Sequence, residues 1–121
     1  SATIYGTGSA SHSANDLRLV AQGVPPGQPG IFYYGPQALS GLPFGDGFRC
    51  VGGPGGTVIR VFPFAVGDAG GVMSSSIDNT NPTHSQLQVG SSIYFQAWFR
   101  DPAAAMSGFN LSDGLTVTFL P

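Results

Sequence analysis

The chain has 121 residues, the size of one domain, with 41% hydrophobic and 12% aromatic side chains. Only 8% of residues are charged and the net charge is −2, so no basic stripe of the kind nucleic acid requires can form. No apolar run approaches the roughly 18–20 residues of a membrane-spanning helix, which excludes insertion by that route.

The first strand signal is Ala2–Thr7, followed by a Gly/Ser-rich stretch over 8–15 that reads as a linker. Leu17–Gln22 alternates, with Leu17, Leu19 and Ala21 on one face. The turn Val24-Pro25-Pro26-Gly27 precedes a strand over Gly30–Tyr34. A short strand, Phe48–Val51, sits between glycine turns. Thr57–Phe62 alternates again, and Asp68-Ala69-Gly70-Gly71 turns the chain into Val72–Ile77, whose serines predict an edge strand or a wet face.

Ser91–Arg100 is the strongest strand. Tyr94, Gln96 and Trp98 share one face, and Ile93, Phe95, Ala97 and Phe99 share the other. One face must be core, and the apolar set is the expected one. Pro102–Met106 is the only helical turn the sequence offers, with Asp101 as cap and Gly108 as stop. Leu115–Leu120 closes the chain with Leu115, Val117 and Phe119 on one face. About eight short strands without crossover helices predict one antiparallel β-sandwich over residues 1–121, Ig-like or jelly-roll-like. The 19 glycines and 10 prolines punctuate these runs as turns.

The identity of the charges is informative. Every acid is Asp, every base is Arg, and Glu and Lys are absent. Those two residues normally decorate helices and cytosolic surfaces, so their absence points to a secreted or cell-surface β protein. The chain opens at Ser1 without methionine, which suggests a processed chain or a module of a larger precursor.

Three segments carry a family likeness. They are Leu19-Val20-Ala21-Gln22-Gly23-Val24-Pro25-Pro26-Gly27-Gln28, then Pro43-Phe44-Gly45-Asp46-Gly47-Phe48-Arg49-Cys50-Val51-Gly52-Gly53, then Phe95–Pro102 with Gly108–Phe119. Together they resemble a β-rich module near the C-termini of large secreted proteins of planctomycetes and similar bacteria. The resemblance implies an extracellular, non-catalytic role beside other domains. It also implies a disulfide from Cys50 to a cysteine just before the final proline. Leu120 stands there, so this chain lacks that pairing.

Chemistry-bearing residues are few. One cysteine, two histidines and no Glu or Lys leave little for catalysis. His12 and His84 sit in loop contexts away from any nucleophile elbow, and solvated loop histidines are expected. Most aspartates fall in turn signatures, where the carboxylate bonds its own backbone. Asp78, Asn79 and Asn81 offer the hard oxygens calcium prefers, without EF-hand spacing, and an Asx-rich turn is the plainer reading. Arg100, Asp101, Asn110, Asp113 and Cys50 are expected in structural roles, with Arg100 and Asp101 forming an ion pair or clamping the 110–114 loop. Asn110-Leu111-Ser112 matches a glycosylation sequon.

Tyr94, Gln96 and Trp98 are the binding candidates, on a face suited to stacking sugars unless a further layer covers them. Two functions follow. One is a structural or adhesive module that associates with itself or with neighbouring domains, with 1–15 able to leave and complete another copy's sheet. The alternative is a carbohydrate-binding accessory module.

Overall fold

The computed structural model describes residues 2–53, 57–104 and 107–121. Among them ten strands form in chain order: β1 (Thr3–Thr7), β2 (Arg18–Gln22), β3 (Pro29–Gly35), β4 (Gln37–Phe44), β5 (Gly47–Gly52), β6 (Ile59–Val66), β7 (Val72–Ser76), β8 (Ser92–Arg100), β9 (Phe109–Leu111) and β10 (Leu115–Thr118). Among the described residues no helix is long and apolar enough to cross a membrane.

Two sheets face each other. One has the order β1-β2-β7, the other β10-β8-β3-β6, and every strand pairing is antiparallel. The expected antiparallel sandwich is therefore the fold. Period-two alternation explains its interior. Ile93, Phe95, Ala97 and Phe99 all point inward and are buried, as the apolar face of β8 predicts. They meet Phe32 and Tyr34 of β3, Leu19 and Ala21 of β2, and Met73 of β7. Fully burying one such side chain contributes roughly 1.5–3 kcal/mol, so this cluster carries most of the sandwich's stability.

β7 is an edge strand with a wet face, as its serines predict. Arg18 bridges it by donating to Ser76 Oγ and Ser74 Oγ, both at 2.7 Å.

The β4–β5 hairpin is a separate two-stranded element lying over the outer face of the second sheet. It buries Val51 against Tyr33 and Leu111, with Tyr94, Trp98 and Phe109 packed around them. This explains why β3 is buried on both faces from Gly30 onward. Strand β4 escapes the sequence reading because Pro36, Gly41 and Pro43 look like breakers. Gly41 supplies a positive φ of 85° inside a register shift, and β4 is an edge strand, where proline is tolerated.

Two bulges shape what lies outside. Along β8, Trp98 opposes Leu111 and Phe95 opposes Leu115, so residues 112–114 stand against Gln96 and Ala97 alone. That bulge divides one edge into β9 and β10. Along β3, Gly30 opposes Ala65 and Phe32 opposes Val61, so Phe62, Pro63 and Phe64 stand opposite Ile31 alone. Phe62 and Phe64 are thereby exposed, at 63% and 61%.

The expected turn over Pro102–Met106 is present only in part. Asp101 Oδ1 accepts from the Ala103 N–H at 3.1 Å, and Gly108 ends the turn with φ 77°. Ala105 and Met106 lie outside the described residues. Asp101 thus caps its own turn, and Arg100 is exposed.

Gly35 lies where the central sheet meets the hairpin, and a Cβ there would collide with the Gly52 carbonyl oxygen. Gly35→Ala should cost about 1–3 kcal/mol through overpacking against backbone. Urea denaturation of the full chain measures it.

Candidate functional site

Of the three residues expected on an open platform, Gln96 is fully buried. Its Oε1 accepts from the Tyr33 hydroxyl at 2.6 Å and from the Cys50 N–H at 2.9 Å. Its Nε2 donates to the carbonyls of Phe48, at 2.8 Å, and Ser112, at 2.6 Å. The amide has two acceptor and two donor positions, and all four are used. Gln96 is therefore a clamp on the hairpin and the 112–114 bulge, and it leaves the set of ligand contacts. Burial holds the Tyr33 hydroxyl well above the ordinary tyrosine range, with the Arg49 charge a smaller opposing influence.

Tyr94 is half-buried in the cluster beneath the hairpin. Trp98 lines an open groove of about 670 Å³ on the outer face. Its indole lies 5.5 Å from the Phe109 ring, and Phe109 lies 5.3 Å from Phe44 of the hairpin. Opposite them stand Phe62 and Phe64, packed edge to face at 5.8 Å where the β6 bulge pushes them out. Ile31 and Tyr33 of β3 and Val58 complete the apolar lining. Among the described residues, Arg49 and Arg60 are the charged residues of the wall, and no acid lines it. Arg49 Nε donates to the Val51 carbonyl at 2.9 Å, which fixes the root of the guanidinium.

Sequence reasoning found Trp98 but missed the opposite wall. Alternation over Thr57–Phe62 places Val58, Arg60 and Phe62 on one face, but the strand continues to Val66, and the exposure of Phe62 and Phe64 depends on β6 being an edge strand with a bulge.

The remaining candidates are structural in this geometry. Asp113 reaches across the chain, not to its own turn. Its Oδ1 accepts from the Ile4 N–H at 2.8 Å, and its N–H donates to the Ala2 carbonyl at 3.3 Å. Asp46 likewise leaves its own turn and accepts from the Ser107 N–H and hydroxyl at 2.9 and 2.7 Å. Asn110 Oδ1 accepts from the Leu111 N–H at 2.9 Å, inside β9. Ser112 of the sequon is buried, with its hydroxyl bound to Ala97 and Asp113 backbone. Cys50 is a half-buried free thiol.

The segment over 8–15 is tied down at several points. Ser9 donates to Asp16, the Leu120 N–H donates to the Ala10 carbonyl, and Ser11 donates to the Pro121 carbonyl. β1 itself pairs with β2 over five residues, Thr3 to Thr7.

Asp78, Asn79 and Asn81 frame a loop. Asp78 Oδ1 accepts from the Thr80 N–H and hydroxyl and from Asn15 Nδ2, and these bonds hold its carboxyl below the usual range. Asn81 Oδ1 caps the 3-10 turn Pro82–His84 by accepting from the Thr83 N–H. Asn79 Nδ2 donates to the His12 carbonyl, while its Oδ1 is buried without a hydrogen-bond partner among the described residues. No group of three or more His, Cys, Asp or Glu gathers among the described residues.

His84 is not a solvated loop residue. It is buried, and its Nδ1 lies 2.6 Å from the Tyr34 hydroxyl. The short 3-10 turn swings the ring inward against Tyr34, 5.5 Å away. His12 packs on the Phe119 ring at 6.5 Å.

No family model matches the chain, and no curated protein sequence does. The architecture is that of an antiparallel β-sandwich module. Among solved structures it is similar to the tetra-tandem repeat in the extending region of a large adhesion protein, with a TM-score of 0.56 and 14% identity. The likeness covers 98% of this chain and 24% of that one, so this chain spans about a quarter of that protein's solved length.

Gln96→Leu should remove a hydrogen-bond partner from two carbonyls, one N–H and one hydroxyl. A loss of at least about 2 kcal/mol in urea denaturation is expected, with faster modification of Cys50 by a thiol reagent as the hairpin loosens.

His84 supplies a pH test. Burial lowers its pKa below the ordinary 6.5, with Asp78 a smaller opposing influence. The unfolded chain takes up this proton near pH 6.5 while the folded chain resists it, so the unfolded state binds more protons below that pH. Stability should fall as pH drops from 7 to 5, and His84→Gln should flatten that slope in thermal melts.

Proposed function

We propose that this chain is a non-catalytic structural module of a large extracellular or cell-surface adhesion protein. The observation that carries this reading is the whole-chain likeness to one repeat's share of an adhesion protein's extending region. The absence of Glu and Lys and the scarcity of charge support an extracellular setting. The buried His84–Tyr34 contact and the clamping roles of Asp46 and Asp113 support a non-catalytic role, because these groups are consumed by the fold.

Association with neighbouring domains of a larger protein fits this reading better than strand exchange. Exchange of 1–15 would have to break the β1–β2 ladder, the Asp113 contacts and the bonds to Leu120 and Pro121. A carbohydrate-binding role is the second reading, favoured by the aromatic groove around Trp98.

Brief trypsin treatment of intact source cells tests the first reading. Peptides of this chain should appear from unlysed cells or in the culture medium. Their appearance only after lysis overturns it.

A further inference from the structure

The groove on the outer face has a charge distribution that composition does not anticipate. The chain carries a net −2, with six Asp and four Arg. Yet Arg49 and Arg60, half of all its cations, line this one groove, and among the described residues no acid does. Between them lie flat ring surfaces, with Trp98 and Phe109 on one side and Phe62 and Phe64 on the other. Phe62 and Phe64 are more than half exposed, although burying each would contribute roughly 1.5–3 kcal/mol. Large apolar groups kept exposed in one patch mark a binding surface.

We propose that this groove binds an acidic polysaccharide, a polymer of uronic-acid residues, with sugar faces on the aromatic walls and a carboxylate on the exposed Arg60, in the positive field to which Arg49 adds. The proposal rests on the carbohydrate reading above and adds the charge of the ligand. Sugar rings present apolar C–H faces and polar rims, which suits a ring-walled groove with guanidinium groups at its walls. Guanidinium pairs carboxylate in a planar, two-pronged geometry, and four arginines without any lysine suit that chemistry.

A second copy of the chain fits less well. A two-fold contact between identical grooves would bring Arg49 and Arg60 towards their own counterparts, like charge on like.

The test uses the full chain and its single tryptophan, which stands in the groove. Polygalacturonate is titrated while Trp98 fluorescence is followed, beside its methyl-esterified form, dextran, and vesicles containing phosphatidylserine. Polygalacturonate should change the emission and bind at least about tenfold tighter than the esterified polymer, with affinity falling as salt rises. Arg60→Gln, on an exposed edge-strand position, should weaken binding about tenfold while leaving the melting temperature unchanged. Phe62→Ser is a second exposed variant and should weaken binding to a similar degree.

Equal binding of esterified and acidic polymers, lost in Phe62→Ser, would overturn the acidic ligand while leaving the carbohydrate reading standing. No binding of any polysaccharide would remove both. Binding to the vesicles alone, or self-association seen by sedimentation without glycan binding, would also overturn the proposal.

Discussion

A single carboxamide holds the outer half of this molecule in place. Gln96 stands at the centre of β8, fully buried, with four hydrogen bonds to three separate segments. A buried amide with even one unused position costs about 1–3 kcal/mol, so the site tolerates few arrangements of its neighbours. The Phe48 carbonyl and Cys50 N–H place the hairpin. The Ser112 carbonyl places the bulge between β9 and β10. From there the chain of contacts continues through Ser112 to Asp113, and from Asp113 to the backbone of β1 in the other sheet. The hairpin, the central sheet and the edge of the opposite sheet are thus joined by one continuous polar line.

The two cores differ in kind because of this. Between the sheets, alternating apolar residues fill the space and hydrophobic burial alone suffices. Beneath the hairpin the cluster is small, with Tyr33, Val51 and Leu111 at its centre. So small a cluster cannot hold an eight-residue, mostly exposed strand such as β4 by burial alone. Polar ties supply the rest: Gln96 in the middle, and Asp46 holding the hairpin tip to Ser107. The groove exists because the hairpin covers only part of the outer face. Its uncovered part lies between the hairpin and the bulged β6 edge.

Scarcity of charge gives each Asp a defined task. Asp68 satisfies the backbone of its own turn by accepting from Gly70 and Val72. Asp113 and Asp46 instead satisfy backbone N–H groups 109 and 61 residues away. Asp68-Ala69-Gly70, Asp46-Gly47 and Asp113-Gly114 all read locally as glycine-marked turns. Which partner wins depends on which unpaired N–H the tertiary fold brings within reach, and that is not a local property.

Sequence alone determined the class of fold and the inward face of β8. Period-two alternation is a local signal, and Ile93, Phe95, Ala97 and Phe99 could not all face water at tolerable cost. The wet edge of β7 was legible for the same reason. Only the tertiary structure decided what became of the opposite face. There the short strand around Phe48–Val51 paired with a proline- and glycine-marked segment, β4, and the resulting hairpin laid β5 over Tyr94, enclosed Gln96 and left Trp98 in a groove. It likewise turned His84 from a loop residue into a buried partner of Tyr34. Those outcomes rest on contacts between residues dozens of positions apart, and alternation along one strand carries no information about what packs on top of it.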